Sequence, residues 1–297
     1  MCTYEEKNED VNAIRKCLEK EQRQIKFHKF FSNKASVTGL CIVIFMLLVA
    51  IFAPMLAYTS PYDATVLDRL QAPSTAHIFG TDSLGRDIFV RTIYGARVSM
   101  TVGFSVGLLS AGIGIIIGLY ASTNKILDNI LMRICDGLKA IPNIMLAIAL
   151  MAVLGADIKN VIISLTVVSI PSVARVARSS ALVVKQQTYI EAQRCLGASQ
   201  TRILWTQIAP NILAPVIVQM TFVFASAIIS EAGLSFLGAG VPDPIPSWGS
   251  MLTEGKTYIF NNCWWMILFP GAFTGLSVLG LNLFGDGLRD FMDPLAG

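Results

Sequence analysis

Charged side chains are scarce in this chain of 297 residues: Asp, Glu, Lys and Arg make up 14% of it, and hydrophobic residues make up 54%. An ordinary soluble domain has about 25% charged residues. The shortage argues against a cytosolic enzyme, a nucleic-acid-binding protein and a disordered chain. The net charge of +3 is too small to indicate a nucleic-acid partner, so we expect none.

The residues that build metal and catalytic sites are also few. The two histidines, His28 and His77, lie far apart, and the six cysteines are scattered with no C-x-x-C pair. This spacing predicts neither a zinc site nor a disulfide framework, and we expect no metal site. H-E-x-x-H does not occur and no Cys and His fall in one plausible site, so we expect no catalytic residues and predict that the chain is not an enzyme.

The sequence Gly255-Lys256-Thr257 has the end of a phosphate-binding loop without its beginning. That motif requires a glycine at position 250, where this chain has Ser250. We therefore expect no cofactor in this chain, and any energy from ATP has to come from a separate subunit.

Long uncharged runs, by contrast, are abundant. A helix needs about 20 apolar residues to cross the bilayer core. Six runs are candidates, at residues 35–57, 98–121, 140–156, 160–174, 203–230 and 257–285. The third extends back to about residue 129, and Pro142 is expected to kink it. We predict an all-α polytopic membrane protein with six transmembrane helices.

The distribution of Lys and Arg predicts the orientation. With the N-terminus inside, the inner segments hold 16 basic residues and the outer segments hold six, as expected when both termini are cytoplasmic. The first run starts too late and is too long for a cleaved signal peptide. The predicted organisation is a cytoplasmic tail (1–34), a retained anchor (35–57), an extracytoplasmic loop (58–97), a core of five spans (98–288) and a cytoplasmic tail (289–297).

Two glycine pairs in the second run have the spacing of helix-packing motifs. Gly103 and Gly107, and likewise Gly114 and Gly118, are four residues apart. Such small residues let helix backbones approach closely in lipid. The alternative is that glycine is simply common in membrane helices.

The longest inner connection, about residues 175–209, is not composed like a passive loop. It consists mostly of helix-forming residues, with apolar positions at Ile190, Leu196, Ile203 and Leu204, and Gly197 interrupts it in the middle. We predict two short helices joined at this glycine, with a helix start near residues 188–191. The shape suits insertion of an amphipathic face into a groove of a partner protein.

Residues of this connection resemble a family signature. Glu191, Ala192 and Gln193, with Gly197 four residues later and then Pro210, resemble the EAA motif of ABC-importer membrane subunits. Gln193 stands where the motif commonly has a second alanine. The resemblance implies that residues 186–209 form the segment that couples the permease to an ATPase subunit.

Two further blocks strengthen the resemblance. Residues 77–99 are similar to the G-T-D-x-x-G-R-D block of oligopeptide and dipeptide permeases, and residues 230–252 are similar to their S-F-L-G-x-G and P-S-W-G block. The chain is thereby identified as a member of this family, of the C-type, over about residues 32–294, and a type I importer fold is implied. The first block contributes Gly80, Thr81, Asp82, Gly85, Arg86 and Asp87.

The resemblance implies a set of partners and a mechanism. The partners would be a second homologous permease, two ATP-binding subunits carrying ATP and Mg, an extracytoplasmic substrate-binding protein, and membrane lipid. The protein would lie in the bacterial plasma (inner) membrane and work by alternating access. Oligopeptides or dipeptides are the expected substrates, and nickel chelates, glutathione and oligosaccharides are the alternatives.

Rivals from other classes are an ATP-independent secondary transporter and a channel or scaffold. A secondary transporter would be expected to show inverted internal repeats, and no such repeat is apparent here. It would also have no need of the segment that contains Glu191 and Pro210. Copurification of ATPase subunits would separate these classes.

The polar residues near the spans have more than one interpretation. The outer block from Gly80 to Asp87 could be a turn scaffold or a docking and gating element. Arg133, Asp136 and Lys139 share one helix face, which favours an ion-pair ladder, although Asp136 could instead face the translocation path. Glu231 could line that path, pair with an arginine of the outer loop, or be exposed and inert.

Overall fold

The computed structural model describes residues 31–292, and all ten α-helices below lie in this part of the chain. They are α1 (Lys34–Leu56), α2 (Ile88–Ala121), α3 (Lys125–Ala140), α4 (Asn143–Leu154), α5 (Ile158–Lys185), α6 (Thr188–Cys195), α7 (Gln200–Ile203), α8 (Ala209–Phe236), α9 (Trp248–Tyr258) and α10 (Trp265–Met292). A π-helical turn, Leu204–Ile208, joins α7 to α8 without a break. Most of the predicted N-terminal tail (1–34) and the end of the C-terminal tail (289–297) lie outside the described residues.

The predicted membrane spans correspond to helices of this fold. Five helices are long and apolar enough to cross a bilayer: α1, α2, α5, the continuous helix Gln200–Phe236, and α10. The pair α3 and α4 provides a sixth span if the two are counted together, although they are bent by 92° relative to each other. The expectation of an all-α membrane fold is confirmed.

The third span is broken rather than kinked. The break falls at Ile141 and Pro142, where Ile141 has the extended dihedral angles φ −90° and ψ 133°. The residue before a proline is disfavoured in the helical region, and proline has no N–H to continue the helix. The polypeptide therefore turns by about a right angle between the amphipathic α3 and the apolar α4.

Several helices extend beyond the apolar runs in the sequence. α2 begins at Ile88 rather than near residue 98, so the predicted loop 58–97 ends at residue 87. α5 continues to Lys185 and includes two arginines. A search for uncharged runs misses such ends because charged residues can lie within a helix where it leaves the apolar region.

The helix ends define two faces of the molecule. The segment face carries the α2–α3 turn (122–124), the connection 186–208 and the end of α10. The loop face carries residues 57–87, 155–157 and 237–264. Lys185 contacts residues 122 and 123 on the segment face, and Ser83 contacts Glu254 on the loop face.

The centre of the fold is α2, which packs through its glycines. A side chain at Gly103 would lie 2.5 Å from the ring of Phe224 on α8, and one at Gly114 would lie 2.7 Å from Val173 on α5. Gly107 and Gly118 approach the same two helices. The predicted packing role of both glycine pairs is therefore confirmed, and each pair serves a different neighbour.

Candidate functional site

The connection on the segment face turns at Gly197. Its N–H donates to the carbonyl of Arg194 at 2.9 Å, and the N–H of Ala198 donates to the carbonyl of Gln193 at 3.1 Å. This is the Schellman pattern that ends a helix, and it requires a left-handed residue, here with φ +81°. The predicted pair of short helices joined at Gly197, beginning at Thr188, is confirmed.

Apolar side chains attach this connection to its own bundle. Ile190 is completely buried, and Ile203 and Leu204 are nearly so, in one core with residues of α2, α5 and α8. Only Leu196 of the four predicted apolar positions is free, with 83% of its surface exposed. The expectation that the amphipathic face inserts into a partner was therefore wrong for three positions, because that face covers the ends of the protein's own helices.

The surface left for a partner is the opposite side of α6 and its turn. Glu191, Ala192 and Gly197 are exposed there, next to Leu196, while Gln193 is partly buried. Glu191 lies in the first turn of α6, where a carboxylate interacts favourably with the helix dipole. The result is a small protruding surface with one acidic and one large apolar side chain.

Pro210 marks the place where the connection enters α8. The preceding turn is π-helical, and the N–H of Ala209 donates to the carbonyl of Leu204, five residues earlier. Proline provides no N–H and crowds the carbonyl of the previous turn, which the wider π turn accommodates. Pro210 itself is exposed on the segment face.

Lys185 fixes the end of α5 to the end of α2. Its ammonium group donates to the carbonyl oxygens of Ser122 at 2.8 Å and Thr123 at 3.1 Å. These carbonyls follow the last turn of α2, where a cation complements the helix dipole. Sequence reasoning missed this contact, because it joins residues more than 60 positions apart.

The outer block is a compact turn held by a buried ion network. The Asp82 carboxylate accepts from the backbone N–H groups of Leu84 and Arg86, each at 2.9 Å, and from Arg86 Nε at 2.6 Å. The same guanidinium reaches Glu254 of α9 at 3.0 Å. Arg91, which is 1% exposed, lies 3.5 Å from Asp82. The network thus fixes the outer turn to α9 and to the start of α2.

The remaining residues of the block shape the same turn. Gly80 and Gly85 have φ values of +78° and +80°, and a side chain at Gly85 would collide with the backbone of Thr65. Thr81 accepts a hydrogen bond from the backbone N–H of Gln71 at 2.8 Å. These contacts are those expected of a turn scaffold, and the docking or gating role remains a prediction.

Asp87 is the N-cap residue of α2, and its carboxylate contacts two polar side chains. Its carboxylate caps the helix by accepting from the N–H of Val90 at 3.1 Å. His77 Nδ1 lies 2.8 Å from it, and the Tyr58 hydroxyl donates to it. Burial, reinforced by the bond to Asp87, raises the pKa of Tyr58 above its ordinary value, so this phenol remains a donor. Tyr58 was not singled out from the sequence because its partner lies 29 positions away.

Glu231, a residue of α8, is fully buried where α8 packs against α2. One carboxylate oxygen accepts from Ser99 at 2.9 Å, and the other accepts from Ser235 at 3.0 Å. Within residues 31–292 it forms no ion pair with an arginine, and it is 0% exposed. The exposed alternative is therefore wrong, and the assignment of Glu231 to the translocation path remains a prediction.

Asp136 forms an ion pair with a residue of α5 rather than with a residue of its own helix, α3. Its carboxylate accepts from Arg175 of α5 at 2.8 Å, and the pair is well exposed. A second pair between these helices joins Asp128 to Arg178 through two of the three guanidinium nitrogens, Nε and Nη2. The predicted ladder with Arg133 and Lys139 is thus replaced by interhelical pairs, and a role of Asp136 in the path remains a prediction.

Comparison with known families gives two matches. Residues 110–296 match the family described as binding-protein-dependent transport system inner membrane component. Residues 22–73 match the N-terminal transmembrane domain of oligopeptide transport permease C. Together these matches include the segment connection, Glu231 and the start of the loop face.

Individual relatives are similar over most of the chain. A peptide transport system permease protein of Brucella suis is 47% identical over 86% of each chain. The dipeptide transport system permease protein of Alkalihalophilus pseudofirmus is 42% identical over 90% of this chain and 88% of its own. The oligopeptide transport system permease protein of Bacillus subtilis is 42% identical over 90% of this chain and 87% of its own.

A solved structure agrees with the fold. A chain of the MetNI methionine ABC transporter, in an inward-facing conformation, superimposes with a TM-score of 0.58. The superposition covers 68% of this chain and 97% of that chain, at 20% sequence identity. The similarity therefore concerns the arrangement of helices.

Proposed function

Because this chain belongs to the family of binding-protein-dependent transport system inner membrane components and is a permease subunit of an ABC importer, we propose that it carries dipeptides or oligopeptides across the bacterial inner membrane. The relatives named for peptides span nearly the whole chain, which supports this substrate class. Nickel chelates, glutathione and oligosaccharides are the alternative substrates. An ATP-independent carrier is disfavoured by the family membership.

The proposed assembly contains four kinds of subunit. A second, homologous permease would complete the path, two ATP-binding subunits would hold ATP and Mg, and an extracytoplasmic binding protein would deliver the peptide. The segment face would lie in the cytoplasm, since Lys125, Arg133 and the basic residues of the connection gather there. Both termini would then be cytoplasmic.

The observation that supports this function best is the construction of the segment connection. Its exposed side, from Glu191 to Gly197, offers a surface to an ATPase subunit, while the buried Ile190 and the tether of Lys185 fix it to three membrane helices. A displacement of the connection would therefore be passed to α2, α5 and α8 together. Such a transfer is what alternating access requires.

The substitution Gly197→Val tests the coupling role. A β-branched residue at φ +81° costs roughly 1–3 kcal/mol of local strain, and the space around this position is otherwise empty. We expect normal insertion and pairing with the sister permease, but loss of both peptide uptake and ATPase stimulation by loaded binding protein in reconstituted vesicles.

The matched control is Gly155→Val. Gly155 has φ +88° and the same empty surroundings, but it lies on the loop face between α4 and α5. This variant should keep the stimulation. If Gly197→Val also keeps wild-type stimulation and uptake, residues 186–209 do not couple this permease to an ATPase.

The substrate class is tested separately. Vesicles containing the complete transporter should accumulate a labelled dipeptide, and unlabelled dipeptides should compete with it better than glutathione, a nickel chelate or an oligosaccharide. Accumulation of one of the other three in preference would replace peptide as the substrate.

A further inference from the structure

The loop face contains an open cavity of about 590 Å³. It lies between the outer turn at Ser83–Arg86, the loop that follows α8, and one side of α9. Sites for small ligands commonly have volumes of about 300–1,000 Å³ and a few convergent polar groups. The cavity therefore has the size of a site for a small molecule such as a short peptide.

Most charges around this cavity are already compensated. Arg86 and Arg91 face the carboxylates of Asp82 and Glu254, so two cations balance two anions. Glu254 is further occupied by the Ser83 backbone N–H at 3.1 Å and by the Ser83 hydroxyl. A ligand carboxylate would have to displace one of these buried partners, which is costly.

Asp243 is the one carboxylate in the cavity lining that makes no direct contact with this network, although its charge attracts Arg91 through space. It is exposed, and it forms no hydrogen bond or ion pair with any residue that the structure describes. The balanced network therefore leaves a single negative charge at the cavity. A ligand cation could approach it without breaking an existing pair.

The loop holds this carboxylate in a defined place. The N–H of Ile245 donates to the carbonyl of Pro242 at 3.2 Å and closes a turn around Asp243. The N–H of the buried Val241 donates to the Ser235 hydroxyl at 3.3 Å, which fixes the loop to the end of α8. Such preorganisation lowers the entropic cost of binding.

Hydroxyl groups of α9 provide further acceptors. Thr253 lines the cavity and donates its proton to the carbonyl of Gly249 at 2.9 Å, so the lone pairs of its oxygen remain available. Ser250, also in the lining, donates to the carbonyl of Ser247 at 3.0 Å and accepts from the backbone N–H of Ser247 at 3.1 Å, so its oxygen keeps one lone pair. A group with several N–H donors matches one free carboxylate surrounded by hydroxyl acceptors.

We propose that this cavity binds the α-ammonium group of a peptide after its release from the binding protein, with Asp243 as the counter-charge. The inference rests on the proposed function, which places the loop face outside the membrane on the side of the binding protein. It adds to that function a receiving site in the permease itself, selective for peptides with a free N-terminus.

The test uses the complete permease–ATPase complex in lipid nanodiscs, without binding protein. The probe is alanyl-phenylalanine amide, which has a free ammonium group and no carboxylate, and binding is detected by saturation-transfer NMR. We expect a signal that N-acetylation of the probe abolishes. Asp243→Asn should weaken binding about tenfold, as for loss of a charge-assisted hydrogen bond.

Two variants serve as controls. Asp243→Glu keeps the charge and should keep most of the binding. Asp63→Asn neutralises another exposed carboxylate of the loop face, outside the cavity and engaged with the backbone of Ser60, and should leave binding unchanged.

The outcomes are distinct. Equal signals from the free and acetylated probes, or unchanged binding by Asp243→Asn, would overturn the proposed site. So would a result in which Asp243→Asn weakens only the affinity for the binding protein, since the ammonium group would then belong to a lysine of that protein. Failure of the proposed function would appear separately, as absence of peptide uptake by the wild-type transporter in vesicles.

Discussion

At the scale of single residues, Glu231 shows how one side chain can join several elements. It connects Ser99 of α2 to Ser235 of α8, and Ser99 in turn accepts from the backbone N–H of Trp248 at the start of α9. A group placed in this way has to satisfy several serine hydroxyls inside a space without solvent. Its shape and its acceptor atoms therefore both matter.

Substitution of Glu231 should separate these two properties. Glu231→Gln keeps the shape and one acceptor, whereas Glu231→Ala leaves a cavity and unsatisfied serine hydroxyls, at a cost of roughly 2–5 kcal/mol. We expect the alanine variant to unfold at a clearly lower temperature in detergent than the glutamine variant. Equal loss of thermal stability would show that the hydrogen bonds to Glu231 do not hold these helices together.

The interhelical ion pairs of α3 and α5 should differ in strength. Asp128 and Arg178 form two hydrogen bonds and are partly buried, whereas Asp136 and Arg175 are more exposed. A double-mutant cycle on denaturation should give a coupling of about 1 kcal/mol for the first pair and less than about 0.5 kcal/mol for the second.

A third cycle, on Arg133 and Asp136, provides the contrast. Helical spacing alone favours this pair, but the structure directs Asp136 to Arg175. Coupling near zero is expected. A coupling as large as that of Asp128 and Arg178 would mean that the charges of α3 pair along their own helix.

At the scale of elements, the glycines of α2 differ in whether a neighbouring helix leaves room for a side chain. Gly114→Leu should force α2 away from Val173 and destabilise the protein by roughly 1–3 kcal/mol. Gly112→Leu lies two residues earlier on the same helix, with nothing within 4 Å, and should be tolerated. Thermal unfolding of the two variants in one detergent makes the comparison. Similar losses would indicate that helix propensity, and not the contact with α5, determines the effect.

The position of a helix or turn could be predicted from the sequence where one local property determines it. Uncharged runs located the membrane helices, and the glycine at position 197 located the turn between α6 and α7. The amphipathic α3 was not resolved as a separate helix, because its polar residues interrupt any apolar run. The break at Pro142 was anticipated as a kink, but its angle depends on what α4 packs against.

The site was predictable to a smaller degree, for a related reason. The motif residues could be named from the sequence, but several of their partners lie on other helices. Arg86 reaches Glu254, Asp136 reaches Arg175, and Glu231 reaches Ser99. The hydrogen bonds from Lys185 to the end of α2, and the lack of a hydrogen-bonded partner for Asp243 among the described residues, are properties of the folded arrangement. Neither has a signal in the spacing of residues along the chain.

At the scale of the whole molecule, the orientation of the two faces can be measured. Cys195 is exposed on the segment face, and Asp63→Cys would place a thiol on the loop face. Cys263 is buried, which raises the pKa of its thiol and slows its reaction, and it can be replaced to remove any background.

An impermeant maleimide should label these positions from opposite sides. In right-side-out vesicles we expect reaction at position 63 and protection of Cys195, and in inside-out vesicles the reverse. Labelling of Cys195 from the outer side would invert the proposed topology, and the segment face could then not meet an ATPase.

The uninterrupted helix Gln200–Phe236 has a mechanical consequence. It has 37 residues and reaches from the segment face to the wall of the loop-face cavity. At 1.5 Å per residue its length is about 55 Å, so a tilt of roughly 5° about one end moves the other by about 5 Å. A tilt too small to rearrange the end near Gly197 would therefore displace the other end, which lines the cavity that contains Asp243, by about the width of a peptide backbone.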